Sequence, residues 1–352
     1  MMRITRRSRM IGGMILAAAL ALSACGGSGS TSNEGAGGSS GASGGATKVS
    51  VGVGGQSLLV YLPTTLAAQL GYYKEEGLDV QIQDLQAGSK ALTALLGGSV
   101  DVTSGYFDHT IQTQAKGKSI ESFVSMLQLP ALVLAVSPKT DKTINDVADL
   151  KGLNVGVTAP GSSTDFFLKF LLKQAGVDPN SVATQAVGAD ASAVAAMEQG
   201  KVDAAVLIDP AVAQLQNRVG DLKILRDLRT ETGVEQVYGV QQYPAAVLYS
   251  STEWVQKNPD TARKLAKAIT RTLQWIDQHS AEEIAAKMPP EFVGQDKDIY
   301  VKALAAAKPT YSKDGKLTED GVQAVLKVLS YDPTIAAANI DLKKTFTNEF
   351  VS

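Results

Sequence analysis

A chain that carries the same strand–helix–strand pattern twice, about 100 residues apart, has few folds open to it. Leu153-Asn154-Val155-Gly156-Val157 echoes Val49-Ser50-Val51-Gly52-Val53. Gly88, an Ala/Leu stretch and Gly98-Ser99-Val100-Asp101 are echoed by Gly188, an Ala-rich stretch and Gly200-Lys201-Val202-Asp203. Solenoid repeats run to about 20–50 residues, whereas this period is the size of a domain. Two similar α/β lobes are therefore expected.

The local pattern supports that reading. Lys48 to Val53 alternates polar and apolar residues, as a strand does. Leu58, Leu62, Leu66 and Leu70 recur every fourth residue and predict a helix, with Pro63 in its first turn and Gly71 ending it. Leu78 to Ile82 reads as a second strand. Ser89 then caps a helix with apolar Leu92, Leu95 and Leu96, and Val100 to Thr103 is a third strand. This βαβαβ order implies a parallel sheet with right-handed crossovers. In the second half a helix is predicted from about Ser163 to Gln174. Between the halves, Phe123 to Val136 (broken by Pro130) and Tyr243 to Tyr249 are candidates for the hinge crossings. After Thr252 the chain reads as mostly helical. A long helix starts near Pro259, another covers Asp320 to Leu329, and these helices are expected to pack back on the first lobe.

The N-terminus reads as an export signal. Arg3, Arg6, Arg7 and Arg9 precede an apolar run from Ile11 to Leu22, too short for an ordinary membrane span. Leu22-Ser23-Ala24-Cys25 resembles the bacterial lipobox, so residues 1–24 are expected to be cleaved and Cys25 lipidated. Thr5-Arg6-Arg7 offers twin-arginine export as an alternative, which Ser8-Arg9-Met10 fits poorly. Residues 25–46, nearly all Gly, Ser, Ala and Thr, would form a flexible tether spanning about 25 Å. Cys25 is the one cysteine among 352 residues, so neither an intrachain disulfide nor a cysteine-cluster metal site is available. A net charge of −2 gives no reason to expect a nucleic-acid partner. Hydrophobic residues at 44% can bury a sizeable core.

Several segments together resemble the nitrate/sulfonate/taurine group of ABC-transporter substrate-binding proteins. They are Gly71-Tyr72-Tyr73-Lys74-Glu75-Glu76-Gly77-Leu78-Asp79-Val80, the stretch from Gly88 to Asp101, and Asp149-Leu150-Lys151-Gly152. Pro160-Gly161-Ser162-Ser163-Thr164, Gly200-Lys201-Val202-Asp203-Ala204 and Leu317-Thr318-Glu319-Asp320-Gly321 extend the likeness over residues 47 to 330. The resemblance implies an α/β, two-lobed periplasmic-binding-protein-like clamshell (type II), each lobe a mostly parallel sheet flanked by helices. Lobe 1 would comprise 47–136 and 244–352, and lobe 2 137–243. Such a protein captures a small solute and delivers it to a membrane permease. The implied setting is extracytoplasmic and lipid-anchored at the membrane, as a monomer without cofactor.

In open α/β sheets ligands sit beyond the carboxyl ends of the strands. That rule points to a few loops. Gly55, Gln56 and Ser57 follow the first strand, where small residues let backbone approach a solute and Gln56 both donates and accepts. Ser89 and Lys90 open a helix whose free N–H groups favour an anion, although Ser89 also reads as a plain cap. Gly161, Ser162, Ser163 and Thr164 do the same in the second lobe, where Ser162 and Asp165 also fit a capping box. Tyr106 and His109 follow the third strand and offer an aromatic wall and a titratable donor. Asp209 could accept from an amine or cap the helix after Pro210. Asp101 and Asp203 begin strands and are read as structural. The two helix starts lean toward an organic anion of the sulfonate, taurine or nitrate kind.

Two other functions compete. An enzyme on the same fold is one, since related folds include pyrimidine-synthesising and menaquinone-pathway enzymes. The cysteine-rich iron motif of the former is absent here, and His109 has no Gly-x-Ser-x-Gly elbow beside it. A tethered ligand sensor is the other.

Overall fold

The computed structural model describes residues 45–351. The expected signal (1–24), the lipid site at Cys25 and all but the last two residues of the 25–46 tether lie outside the described residues.

Ten strands form two five-stranded sheets. The first contains β1 (Thr47–Val53), β2 (Leu78–Asp84), β3 (Val102–Tyr106), β4 (Ile120–Ser125) and β10 (Ala246–Ser251), in the order β2-β1-β3-β10-β4. The second contains β5 (Val133–Val136), β6 (Asn154–Val157), β7 (Ala183–Ala186), β8 (Ala204–Leu207) and β9 (Ile224–Asp227), in the order β7-β6-β8-β5-β9. β1 pairs in parallel with β2 and β3, and β6 in parallel with β7 and β8. One antiparallel strand enters each sheet at the same place: β10 between β3 and β4, β5 between β8 and β9. Each lobe is thus a mostly parallel sheet flanked by helices, as the echo in the sequence implies.

The Val-Asp part of that echo has a physical cause. Asp101 Oδ2 accepts from the backbone N–H of Ser50 at 2.8 Å and from its hydroxyl at 2.6 Å. Asp203 Oδ2 accepts from the N–H of Asn154 at 3.0 Å, and its Oδ1 from the Thr140 hydroxyl at 2.7 Å. Each aspartate binds the backbone N–H of the neighbouring parallel strand and fixes its register. Both are structural, as expected.

The boundary of lobe 1 at residue 136 needs correction. β5 belongs to the second sheet, so the first crossing precedes Val133. All four residues of β5 are buried. An apolar run buried on both faces suits a strand inside a sheet better than a connecting crossing. The return strand likewise begins at Ala246 rather than Tyr243.

The C-terminal helices do more than cover the first lobe. The Pro259–Gln278 helix buries Leu265, Ile269, Leu273 and Ile276 on one face and packs on the Leu62–Gln69 helix and β4. The Lys297–Ala307 helix instead rests on the Ala211–Val219 helix of the second lobe. The Glu319–Leu329 helix touches the Asp108–Ala115 helix of the first lobe and the Ser163–Gln174 helix of the second. The tail therefore straps the lobes together, which corrects its expected place on lobe 1 alone. One apolar core runs through both sheets, and a smaller cluster around Val133, Val194 and Leu215 fills the outer side of the second.

Candidate functional site

The loops at the strand ends of the two lobes meet face to face. Ser162 Oγ accepts from the Ser89 backbone N–H at 3.1 Å and donates to Ser89 Oγ at 3.1 Å. Ser163 Oγ donates to Asp108 Oδ1 at 2.9 Å, and Ser57 Oγ to Asp190 Oδ2 at 3.3 Å. The Leu59 N–H donates to the Asp209 carbonyl at 2.9 Å. Gly55 permits this approach, and Gly88 permits close packing inside the first lobe. A Cβ on Gly55, whose φ is +128°, would lie 2.9 Å from the Ala189 Cβ of the other lobe. A Cβ on Gly88 would lie 3.0 Å from His109 Cε1.

Asp108 stands at the centre of this junction, in the first turn of the Asp108–Ala115 helix and 6% exposed. It borders a cavity of about 10 Å³ together with Tyr106, Leu132, Phe166, Tyr238 and Tyr243. That volume is about what one water needs. Tyr238 and Tyr243 stack at 4.4 Å between centroids, and Phe170 meets Tyr238 edge-on at 5.3 Å. The Tyr106 hydroxyl donates to the Pro130 carbonyl at 2.6 Å, and the ring meets Tyr61 edge-on. Burial pushes the Asp108 carboxyl above the usual range, while His109, the Ser163 hydroxyl and the His109 backbone pull it down.

His109 is fully buried beside it. Its Nδ1 and the Tyr249 hydroxyl are hydrogen-bonded at 3.1 Å, and its Nε2 has no hydrogen-bond partner among the described residues. Burial lowers its pKa from the ordinary 6.5, against the pull of Asp108 and the Gly161 backbone. The unfolded chain then binds a proton before the folded one does. Stability present above pH 6.5 should be lost as pH falls through the folded-state value, at no more than about 1.4 kcal/mol per pH unit. Denaturant melts of wild type and His109→Gln between pH 7 and 5 check this: the wild-type curve should fall more steeply than the variant's.

The other expected residues divide. Gln56 turns into its own lobe, where Nε2 donates to Thr65 Oγ1 at 3.1 Å. Thr164 does likewise: its hydroxyl accepts from the Thr158 N–H at 3.0 Å. Lys90 is exposed on its helix. Ser89 is not the cap of its helix, which starts at Gly88 with Ala87 before it. The capping box at Ser162 is also absent, because that hydroxyl is spent across the junction on Ser89. Asp165 Oδ2 instead accepts from the Gly161 N–H at 2.8 Å and from Lys169.

Asp209 is fully engaged, with its Oδ1 accepting from the Ala213 N–H and its Oδ2 3.1 Å from Arg229. Asp227 shares that guanidinium at 2.6 Å. In this arrangement it holds the start of the helix and an ion pair. Arg229→Met should cost about 3 kcal/mol, since it strands a buried carboxylate while a fifth of the arginine already reaches water. A urea melt at neutral pH measures it.

Sequence reasoning passed over Asp108, although it lies between Tyr106 and His109 in the segment singled out. It also passed over Tyr238 and Phe166, whose place at the junction depends on how the halves dock.

The family profile described as "NMT1/THI5 like" matches residues 60–283. A solved protein from Bordetella bronchiseptica RB50 is 41% identical with a TM-score of 0.83, covering 86% of this chain and 95% of its own. The periplasmic aliphatic sulphonate binding protein SsuA from Escherichia coli shares the fold, with a TM-score of 0.61 at 21% identity, over 85% and 96% of the two chains. YtlA of Bacillus subtilis, provisionally described as a binding protein, is 27% identical over 74% of this chain and 76% of its own. The 4-amino-5-hydroxymethyl-2-methylpyrimidine phosphate synthase THI13 of Saccharomyces cerevisiae is 25% identical over 83% and 84%.

Proposed function

Because the chain belongs to the NMT1/THI5-like family, we propose that it is the extracytoplasmic solute-binding lipoprotein of an ABC importer, anchored through Cys25. One observation carries the reading. Strand-end loops of two lobes converge on a buried carboxyl side chain, with hydrogen bonds between the lobes that parting would break. Hinge closure over a solute is the motion such an arrangement serves. The likeness to YtlA supports it. The likeness to the pyrimidine phosphate synthases supports the rival, an enzyme acting on a small metabolite. On the solute-binding reading the hinge lies in the two segments around Pro130 and Pro244, with the first crossing before Val133.

The finer expectation was an organic anion on the helix starts at Ser89 and Ser163. The positive helix ends favour it. An ionised Asp108, bonded to Ser163, would oppose it, because a carboxylate about 4 Å away repels an anion by roughly 4 kcal/mol at an effective dielectric of 20. A helix end supplies about 1–2 kcal/mol at best. The repulsion is larger, so a purely anionic solute is disfavoured beside Ser163.

The test is incubation of the purified protein with candidate solutes, followed by mass spectrometry of what is released. Solute recovered unchanged, with compaction in small-angle scattering, is expected. Chemical conversion sinks the binding-protein reading. For the anchor, Cys25→Ser should leave the body in the soluble fraction or leave the signal uncleaved. Normal cleavage with wild-type membrane fractionation would remove lipidation from the account.

A further inference from the structure

We infer that Asp108 and the aromatic side chains around it recognise a positively charged nitrogen, so that the solute is a small organic cation or a zwitterion presenting its ammonium end to this carboxylate. The inference rests on the solute-binding reading and specifies the ligand of that site.

Asp108 lies at the junction of two lobes, where the hydrophobic core offers it little. One oxygen accepts from Ser163, a residue of the opposite lobe. That bond is made only when the lobes meet, so within its own lobe the side chain has no side-chain donor. Among the described residues no arginine or lysine pairs with it, unlike Asp209, whose buried carboxylate is matched by Arg229. A buried carboxylate without a cation is costly, and structural cases are normally paired. Here the neighbours are Tyr106, Phe166, Tyr238, Tyr243 and Leu132. Aromatic faces attract cations, and more strongly when water is excluded. A single carboxylate walled by rings and an aliphatic side chain fits an alkylated or heteroaromatic ammonium. It does not fit a metal ion, which needs several oxygen ligands.

The plain alternative is a protonated Asp108 that merely donates or accepts within the junction. Burial favours that protonated form; the first turn of a helix works the other way, and an ammonium seated on the carboxylate would complete the shift to the ionised form. The nearby cavity is too small for such a solute in the closed arrangement, so entry requires the lobes to part. Closure would then bring Ser163 and the second-lobe rings onto a cation already resting on Asp108.

The experiment uses the full mature chain and three probes: tetramethylammonium, benzyltrimethylammonium and methanesulfonate. Each is titrated by calorimetry and by thermal shift against wild type and Asp108→Asn, which keeps the shape of the side chain. The expected result is binding of benzyltrimethylammonium to wild type, weakened about 100-fold in Asp108→Asn, with no stabilisation by methanesulfonate. Tyr238→Leu should weaken the same cation about 5-fold or more while Asp108 remains in place. Three results overturn the inference: no binding by either ammonium, equal binding by wild type and Asp108→Asn, or stabilisation by methanesulfonate alone. The last would leave the solute-binding reading intact. Conversion of solute by the protein would remove that reading while leaving the cation preference standing.

Discussion

Ser163→Asp should hold the two lobes apart. In the structure Ser163 Oγ lies 2.9 Å from Asp108 Oδ1, and each residue belongs to a different lobe. The variant would set two carboxylates about 4 Å apart, which costs roughly 4 kcal/mol at an effective dielectric near 20. That is about a thousandfold shift in the ratio of closed to open forms. The second lobe itself should tolerate the change, because a carboxylate suits the start of the Ser163–Gln174 helix. Small-angle scattering of the unliganded variant should give a larger radius of gyration than wild type, with melting behaviour that still shows a folded chain. Lowering the pH should restore compaction. Burial already raises the Asp108 pKa, so one proton shared by the pair removes the repulsion as the pH falls. A variant as compact as wild type at pH 7 would mean the two groups are not apposed. The shift concerns the lobes and holds whatever charge the solute carries.

The second large effect is on stability. Tyr249 is fully buried in β10, the strand that enters the first sheet antiparallel, and its ring fills the space above Gly105. Tyr249→Ala should cost about 3–5 kcal/mol through lost burial and the cavity left behind. Tyr249→Phe keeps the ring and removes the hydroxyl bonded to His109 Nδ1. It should cost about 1–3 kcal/mol, because a buried ring nitrogen loses its partner. Denaturant midpoints at unchanged slope measure both. Equal costs for the two variants would show that the hydroxyl, and not the ring, dominates.

The halves of the fold were legible because each is local. Periodicity placed the Ser163–Gln174 helix at its observed bounds and the long helix at Pro259. The Val-Asp echo proved to be a register device in both sheets. What sequence alone missed is how the halves meet. Whether Val133–Val136 ends one lobe or begins the next turns on pairing with β8, a strand some 70 residues later. The sites divide for the same reason. Ser89, Ser162 and Ser163 were legible as helix starts, but their hydroxyls are used between lobes, and no helix-end rule anticipates that. Thr164 and Gln56 have the same composition cues and turn inward, because a neighbour within the same lobe satisfies them first. Asp108 was hidden by its surroundings: one aspartate beside a phenylalanine and a histidine becomes significant only when Ser163 and Tyr238 arrive from the other half.

The strap formed by the tail also bears on the timing of release. The Glu319–Leu329 helix touches both lobes, and Asp108 borders a space of about one water. On the proposed reading, a bound molecule cannot escape faster than the lobes separate. The residence time is then bounded by a mechanical property of the hinge and strap, and weak binders share that bound with tight ones. A membrane partner would gain little by competing for the contacts to the cargo. It would gain most by prising the lobes apart, and the Glu319–Leu329 helix, which touches both, is where such leverage would be applied.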